Sequence, residues 1–268
     1  MDTPRISASS YSNTAPLIWS FLYGANHGKI ELILDNAPAR SAQLLEQRRV
    51  DIALVPIISY QFIEGIRLIP GVCVGAREEV KSVCIVTKGK KLNDVRSVAL
   101  DLSSRTSVIL TKIIFREYLG FEPEWSDAVP DLDQMLKRAD AALLIGDPAL
   151  ALFDGQKLAD STILRKFDLA ELWKSHTGLG FIFAMWMTTH ATCEIDFAAA
   201  RDEGLLHIEE IISNYHPEIA LGREELKTYL LENISYAPDA SMLAGMELYF
   251  NLAKKHRLIE TLRQLSYI

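Results

Sequence analysis

The sequence predicts a two-lobed α/β protein with a cleft between its lobes. The first half alternates short apolar runs with helical patterns, which is typical of a largely parallel sheet joined by crossover helices. An apolar run at 83–87 leads into a second α/β unit, and another at 181–187 returns late in the chain. The remainder, 197–268, is almost entirely helical by periodicity.

The order of these units predicts how the lobes are built. We expect a discontinuous lobe one from residues 1–85 and 185–268, and an inserted lobe two from residues 86–184. In such folds a ligand binds outside the carboxyl ends of parallel strands, where loops meet helix N-termini. The cleft between the lobes is therefore the expected site.

The individual elements follow from apolar periodicity and from the position of proline. Pro16 lies in the first turn of the first helix, where proline is tolerated, and Pro56 stops the third strand. The strand-like segments are residues 5–9, 29–34, 51–55, 67–69, 72–76, 83–87, 97–100, 141–145 and 181–187. Helical patterns cover residues 14–23, 41–49, 106–118 and 132–138, and another begins near Pro148.

Charge and hydropathy exclude several classes of function. The net charge of -7 gives no general attraction for nucleic acid or an anionic membrane surface, so we expect neither as a partner. No window approaches the ~20 apolar residues that span a bilayer. The N-terminus lacks the cationic and apolar runs of a signal peptide, which predicts a cytoplasmic protein.

The residue types give no sign of a metal site or a nucleotide cofactor. Cys73, Cys84 and Cys193 are odd in number and widely spaced, and we interpret them as buried small apolar residues. The six histidines form no i, i+4 pair beside a carboxylate, so we expect no bound metal. The sequence also lacks a glycine-rich phosphate loop and a nucleophile elbow.

The most informative segment is the predicted loop at 101–107, which follows a strand and begins a helix. Free backbone amides and the helix dipole favour an anion at such a place. Four hydroxyl residues and an arginine crowd it: Ser103, Ser104, Arg105, Thr106 and Ser107. A plain helix cap is the alternative, but the segment has more hydroxyls than a cap requires. We favour a carboxylate or phosphate site; the alternative for Arg105 is a solvated position.

A second polar turn occupies the equivalent place in lobe one. Tyr11, Ser12, Asn13 and Thr14 follow the first strand directly. Asn13 can aim its amide into the cleft, whereas Thr14 can cap the helix that follows. The residues alone leave a binding site and an ordinary cap equally open.

Two further polar positions lie where the predicted lobes meet. Ser82 precedes the strand at 83–87 and lies at the expected hinge, although a lone serine is usually a solvated turn residue. Gly146 and Asp147 end another strand. The aspartate can bind a ligand or cap the helix at Pro148, and the cap is the favoured reading.

Taken in order, these segments resemble the chorismate dehydratase family of the futalosine route to menaquinone. Tyr11-Ser12-Asn13-Thr14-Ala15-Pro16-Leu17 is similar to the family's Tyr-Leu-Asn-Thr-x-Pro-Leu. The other matching stretches are residues 51–56, 81–83, 99–107, 144–147 and 177–186. The departures are Ser12 for leucine, Lys81 for arginine, Gly180 for proline, and no serine after Pro56.

The resemblance implies a type II periplasmic-binding-protein-like fold and an expected reaction. Chorismate would lose water to give 3-[(1-carboxyvinyl)oxy]benzoate, and because an aromatic ring forms, no cofactor is required. Asn13 and Ser82 would be the catalytic residues, with Ser104, Thr106 and Ser107 holding a carboxylate. The remaining expected substrate-binding residues are Tyr11, Ser12, Thr14, Pro56, Ser103, Arg105, Gly146, Asp147, Thr177 and Gly178.

Two other functions remain open on the sequence. The sibling family of the same route, 1,4-dihydroxy-6-naphthoate synthase, shares the fold but carries a histidine where this chain has Gly146. A non-catalytic solute-binding protein for carboxylates is also compatible with the fold. The sequence does not predict an oligomeric state.

Overall fold

The computed structural model describes residues 3–157 and 162–268 and contains two five-stranded sheets. The strands are β1 (Arg5–Ser9), β2 (Glu31–Asp35), β3 (Ile52–Pro56), β4 (Arg67–Ala76), β5 (Val83–Lys88), β6 (Ser97–Asp101), β7 (Glu124–Ala128), β8 (Ala141–Ile145), β9 (Leu164–Asp168) and β10 (Phe181–Thr188). Sheet one has the order β2-β1-β3-β10-β4, and sheet two has the order β7-β6-β8-β5-β9.

The two sheets share one arrangement, in which a single antiparallel strand lies among parallel ones. In sheet one, β1 pairs in parallel with β2 and β3, and β10 runs antiparallel to β3 and β4. In sheet two, β6 pairs in parallel with β7 and β8, and β5 runs antiparallel to β8 and β9. The antiparallel strand of each sheet is the first one formed after the chain crosses from the other lobe.

Ten α-helices and several shorter turns cover the sheets in the described residues. The helices are α1 (Ala15–Leu22), α2 (Pro38–Glu46), α3 (Thr106–Ile113), α4 (Leu132–Arg138), α5 (Asp147–Leu150), α6 (Leu169–Thr177), α7 (Phe197–Leu206), α8 (Ile208–Tyr215), α9 (Arg223–Thr228) and α10 (Ala240–Lys255). Short 3-10 turns lie at Ser12–Thr14, Ile57–Gln61, Leu92–Asp94 and His216–Glu218. Two segments are π-helical, Ile114–Leu119 and Tyr229–Asn233. No helix in these parts of the chain is both long enough and apolar enough to cross a membrane.

The predicted strands and helices are largely confirmed, with four corrections. The runs at 67–69 and 72–76 form the single strand β4, and the helix predicted at 106–118 becomes π-helical after Ile113. The segment after α10 is not helical, because Ser266 and Ile268 hydrogen-bond to Leu68 at the edge of sheet one. Strands β7 and β9 and helix α6 were not predicted at all. Both strands lie at sheet edges and carry charged residues, so they lack a continuous apolar run.

Two connections join the lobes, residues 77–82 between β4 and β5 and residues 169–180 between β9 and β10. The Asp168 carboxylate ties them together by accepting the amides of Val80 at 3.1 Å and Lys81 at 2.6 Å. The predicted lobe borders at 85 and 184 fall inside β5 and β10, each of which lies wholly in one sheet. We propose that the borders lie in the two connections.

The C-terminal helix α10 holds the returning strand β10 in place. A Cβ on Gly245 would lie 2.0 Å from the Gly180 carbonyl, so the helix packs directly on the chain where β10 begins. The Gly180 amide donates to Ser241 Oγ at 3.0 Å. Proline has no amide to donate, which explains why glycine suits this chain at a position where the resembled family has proline.

Candidate active site

A cavity of about 60 Å³ lies between the two sheets. From lobe one it is lined by Tyr11, Asn13, Thr14 and Pro56, which follow β1 or end β3. From lobe two it is lined by Ser104, Thr106, Ser107 and Gly146, which follow β6 or β8. The structure therefore brings these eight predicted residues together at the carboxyl ends of parallel strands.

A larger cleft of about 700 Å³ lies beside the hinge, but its charge makes it a poor anion site. Six acidic residues and two lysines line it: Glu79, Asp154, Asp168, Glu171, Glu224, Glu225, Lys81 and Lys166. A negatively charged ligand would be repelled there. The smaller cavity is lined by hydroxyls, an amide and apolar side chains, and it is the better candidate despite its size.

The polar turn of lobe one does not cap its helix. Thr14 stands at the N-cap position of α1, but its side chain makes no capping hydrogen bond. Its hydroxyl instead lies 3.0 Å from Ser9 Oγ and donates to Asn13 Oδ1 at 3.4 Å. The half-buried Asn13 side chain lines the cavity, and its amide also lies beside the Tyr229 hydroxyl. The capping interpretation of Thr14 is wrong.

The loop before α3 is organised by a buried carboxylate. Asp101 accepts hydrogen bonds from the amide and hydroxyl of Ser103, at 2.8 and 2.5 Å, and from the Ile145 amide at 3.3 Å. Burial raises the pKa of Asp101, and the Ser103 hydrogen bonds oppose that rise. Ser103 is thus committed to Asp101 and does not line the cavity.

The two hydroxyls on either side of Arg105 have different roles. Ser104 Oγ accepts the Ser107 amide at 3.2 Å, so Ser104 caps α3 and also lines the cavity. The Thr106 hydroxyl accepts the Ile58 amide at 3.3 Å and donates to the Phe183 carbonyl at 3.2 Å. Thr106 therefore joins the lobes and has no free hydrogen-bonding capacity as a donor.

Arg105 itself does not line the cavity. It is half-buried, and within the described residues it pairs with no acidic side chain. The hydroxyl and amide groups that remain available to an anion at this loop are those of Ser107, Ser104 and the first turn of α3.

Gly146 allows Tyr11 to lie against the end of β8. Its backbone has φ 70° and ψ -154°, and a Cβ there would lie 2.6 Å from carbons of the Tyr11 ring. Burial raises the pKa of Tyr11, with hydrogen bonding to Ser103 opposing the rise, so the phenol is neutral near pH 7. Both the backbone and the ring exclude a side chain at position 146.

Asp147 connects the two lobes instead of capping a helix. Its carboxylate accepts the Ser12 amide at 3.1 Å and the Ser12 hydroxyl at 2.5 Å. The N-cap of α5 is Gly146, so the predicted capping role of Asp147 is wrong. Burial raises the pKa of Asp147, and the two Ser12 hydrogen bonds oppose that rise.

Ser82 is not a solvated turn residue, because it is fully buried. Its hydroxyl donates to the Val80 carbonyl over a long 3.4 Å, and its own carbonyl accepts the Gly146 amide at 2.8 Å. It lies just behind the lining of the cavity, at the hinge end, beside Tyr229.

Thr177 and Gly178 lie away from the cavity, at the end of α6. The Thr177 hydroxyl donates to the Trp173 carbonyl at 2.7 Å and accepts the Leu179 amide at 3.1 Å. Gly178 ends the helix with φ 71°. Both residues shape the turn into β10, and this geometry gives no support to a direct contact with a ligand.

Tyr229 is a neighbour of Ser82 and Asn13 that sequence reasoning missed, although it lines the larger cleft and not the smaller cavity. It lies in the C-terminal helical third, 147 positions from Ser82 in the chain, and nothing in its local pattern distinguishes it from a core tyrosine. The β10 residues Phe183 and Ala184 were also missed as part of the lining. Alternation of side chains along β10 could have indicated only one of these two neighbours, because the register of β10 against β4 shifts between Ile182 and Ala184.

The cysteines and histidines provide no metal site. Cys73 and Cys84 are buried free thiols, and burial raises the pKa of Cys84 to about 12. Within residues 3–157 and 162–268, no group of three or more His, Cys, Asp or Glu side chains is placed to hold a metal ion.

Comparison with solved structures confirms the predicted periplasmic-binding-protein-like fold. A crystal structure of an Archaeoglobus fulgidus protein matches with a TM-score of 0.67 at 16% identity, over 96% of this chain and 98% of that one. The periplasmic aliphatic sulphonate binding protein of Escherichia coli matches with a TM-score of 0.63 at 16% identity, over 99% and 93%. A Candida albicans protein described as having the generic periplasmic binding protein fold gives 0.66 at 13% identity, over 97% and 92%.

Comparison of sequences supports the resemblance inferred from the motifs. A chorismate dehydratase of Thermus thermophilus is 31% identical in an alignment of 191 residues that covers 66% of this chain and 66% of that protein. The match thus spans just under two thirds of the relative's length. The family model described as menaquinone biosynthesis matches residues 4–255. The chain therefore belongs to the menaquinone biosynthesis family.

Proposed function

We propose that the protein is a chorismate dehydratase, a hydro-lyase that converts chorismate to 3-[(1-carboxyvinyl)oxy]benzoate and water. One observation carries the proposal. The cavity is lined by hydroxyls, the Asn13 amide and apolar groups, and its described lining contains no carboxylate, imidazole, amine or thiol. Such a site can bind and orient an anionic substrate but offers no conventional side-chain base.

The cavity provides complementary surroundings for the two parts of chorismate. Ser104, Ser107 and the first turn of α3 present hydroxyl and amide groups to one carboxylate, and the helix dipole favours its charge. Leu54, Val83 and Phe183 provide apolar walls for the ring.

The elimination can then use the substrate as its own base. The enolpyruvyl carboxylate takes the proton from the ring carbon that bears the ether, and the electron pair of that C–H bond forms the new ring double bond. The C–O bond of the neighbouring carbon breaks, and the hydroxyl leaves as water with the proton that the carboxylate accepted, so the carboxylate is regenerated. Asn13 and Ser82 orient the substrate and hydrogen-bond the leaving hydroxyl, which stabilises charge that develops in the transition state.

The sibling activity, 1,4-dihydroxy-6-naphthoate synthesis, fits this chain less well. A histidine at position 146 would require a strained backbone and would displace the Tyr11 ring. We therefore expect no turnover of cyclic de-hypoxanthine futalosine by the purified protein. Formation of the naphthoate from that compound, followed by mass spectrometry, would reverse the assignment.

The direct test is turnover of chorismate. The purified protein is incubated with chorismate and no added cofactor, and the products are measured by mass spectrometry. We expect steady loss of one water and a product with an aromatic spectrum, at a rate proportional to enzyme. A heat-denatured sample controls for spontaneous rearrangement. Tight binding of chorismate with no turnover would instead identify a solute-binding protein.

A further inference from the structure

Tyr229 is placed beside the two proposed catalytic residues by a π-helical segment. Helix α9 ends at Thr228, and the next five residues, Tyr229–Asn233, are π-helical. Single π-helical turns are uncommon and occur frequently at functional sites. The segment is anchored to the hinge, because Asn233 Nδ2 donates to Glu79 Oε1 at 3.1 Å. Glu79 precedes Ser82 by three residues.

The hydroxyl of Tyr229 is buried beside the side chains of Ser82 and Asn13 but is not aligned for an ordinary hydrogen bond with either. The residue is 1% exposed, and its Oη forms no hydrogen bond of ordinary geometry within the described residues. Burial raises the pKa of Tyr229, and the adjacent side chains of Ser82 and Asn13 oppose the rise. The phenol therefore keeps its proton at neutral pH. A buried unpaired donor is destabilising, so its position next to these side chains requires an explanation.

The Ser82 hydroxyl can accept a further hydrogen bond, and the nearby Tyr229 hydroxyl can donate one. A serine hydroxyl donates one hydrogen bond and accepts two. The bond from Ser82 Oγ to the Val80 carbonyl is 3.4 Å long and therefore weak. No other side-chain hydrogen bond involves Ser82 Oγ within the described residues at ordinary geometry.

We propose that Tyr229 donates a hydrogen bond to the Ser82 hydroxyl and thereby fixes the direction in which Ser82 donates to the substrate. Tyr229 is then a positioning residue, and it acts through Ser82. When Tyr229 occupies one lone pair of Ser82 Oγ, the Ser82 proton is released from Val80 and points towards the leaving hydroxyl. A hydroxyl that accepts a hydrogen bond is also a stronger donor. This inference rests on the proposed dehydratase function.

The chain offers a matched control in Tyr236. This tyrosine is also buried, and its hydroxyl also lacks a partner within the described residues. Apart from burial, its pKa is influenced by Tyr229 and not by Ser82 or Asn13. Tyr236→Phe therefore removes a buried tyrosine hydroxyl from the same part of the core and leaves the surroundings of Ser82 unchanged.

The experiment compares kcat and KM for wild type, Tyr229→Phe, Tyr236→Phe, Ser82→Ala and the double variant Ser82→Ala/Tyr229→Phe. We expect Tyr229→Phe to lower kcat about tenfold, the effect of one lost hydrogen bond, with KM changed by less than about twofold. Tyr236→Phe should match wild type. The double variant should be no slower than Ser82→Ala, since two residues that act through one hydroxyl are not additive.

Each outcome is decisive. A Tyr229→Phe enzyme as fast as wild type would overturn the inference, and so would independent, multiplicative losses in the double variant. An equal loss in Tyr236→Phe would show that the effect arises from core packing. Absence of chorismate turnover by wild type would overturn the proposed function and this inference together, whereas turnover with an unaffected Tyr229→Phe would overturn the inference alone.

Discussion

Gly146 is held in a backbone conformation that residues with a Cβ rarely adopt, and the Tyr11 ring fills the space where a side chain would be. We expect Gly146→Ala to lower the free energy of unfolding by about 1–3 kcal/mol, the usual cost of such strain, and to weaken chorismate binding because Tyr11 is displaced. Urea unfolding and a binding titration measure the two effects. Gly120→Ala is the control, because Gly120 also has positive φ, 76°, but has open space around it. A Gly146→Ala protein with unchanged affinity would show that Tyr11 does not shape the site.

Asn13 and Ser82 present an amide and a hydroxyl where an elimination would usually employ a base. If both stabilise the leaving hydroxyl, Asn13→Ala and Ser82→Ala should each raise the barrier by roughly 2–4 kcal/mol, as loss of one oxyanion-hole donor does. Chorismate should still bind, because the carboxylate site at α3 is intact. Single-turnover rates and equilibrium binding separate the two effects. Variants that lose binding and rate in equal proportion would contradict a role in the chemical step.

The residues of the site could be identified from sequence more readily than their hydrogen bonds. Thr14 and Asp147 have the side-chain types and positions of helix caps, and the sequence leaves a cap and a binding role open for Thr14 and favours a cap for Asp147. Their hydroxyl and carboxylate bond instead to Ser9 and to Ser12, the latter from the other lobe. A local sequence pattern does not identify hydrogen-bond partners that are distant along the chain, so these partners can be found only in the folded structure.

The loop before helix α3 is either an anion site or a plain helix cap, and a negative charge added in the first turn of α3 distinguishes the two. Replacing Ser107 with Asp adds a negative charge at the N-terminus of α3, which favours the helix but repels a bound carboxylate. Two charges about 4 Å apart interact by about 4 kcal/mol at an effective dielectric constant of 20, so we expect affinity for chorismate to fall about tenfold or more. Isothermal calorimetry measures this, with Ser107→Asn as the control of equal size. If the two variants bind equally, the loop before α3 is only a cap.

The elements that sequence patterns predicted well are those buried on both faces. Strands β3 and β8 are buried at every position and read as continuous apolar runs. Strands β7 and β9 lie at sheet edges and mix charged with apolar residues without a regular period, and the chain around Tyr229 forms a π-helix that no periodicity indicates. Where packing, and not local preference, selects the conformation, the pattern is too weak to predict it.

The cavity between the two lobes is narrow. A volume of about 60 Å³ is too small for a six-membered ring with two carboxylate groups, since a single water occupies about 30 Å³ in the liquid. Two hydrogen bonds hold the lobes together. The Ser12 hydroxyl donates to the Asp147 carboxylate, and the Ile58 amide donates to the Thr106 hydroxyl. If the protein is a chorismate dehydratase, as proposed, we expect the lobes to separate about the two connections when chorismate binds.

Separation of the lobes should limit the rate of binding. We expect the observed rate in stopped-flow fluorescence to reach a plateau as chorismate increases. Ser12→Ala removes a hydrogen bond between lobes and should raise the plateau about fivefold, as expected for a contribution near 1 kcal/mol. Ser213→Ala is the control, because its exposed hydroxyl donates to the Glu209 carbonyl and accepts from Arg223, and all three residues belong to the C-terminal part of lobe one. A rate that rises linearly with chorismate at all concentrations would show that the cavity opens without a barrier.

The same contact predicts a pH dependence of opening. Burial in the closed state raises the pKa of Asp147 above its ordinary value, with a further contribution from the nearby Glu218, whereas separation of the lobes returns Asp147 to water. The closed state thus binds a proton more readily than the open one. The closed state is therefore most stable at pH values below the ordinary pKa of Asp147. It becomes less stable as pH rises through the raised pKa of Asp147. The plateau rate should therefore fall as pH is lowered from about 7 towards 4.5, a range that stays above the ordinary carboxylate pKa.

The control variant is Asp147→Asn, which cannot ionise at this position and should flatten the profile. Asp101 and Asp168 also have raised pKa values, but each accepts hydrogen bonds from amides of its own lobe or of the hinge, so we expect both to stay buried when the lobes part. An unchanged slope in Asp147→Asn would assign the pH dependence to another group.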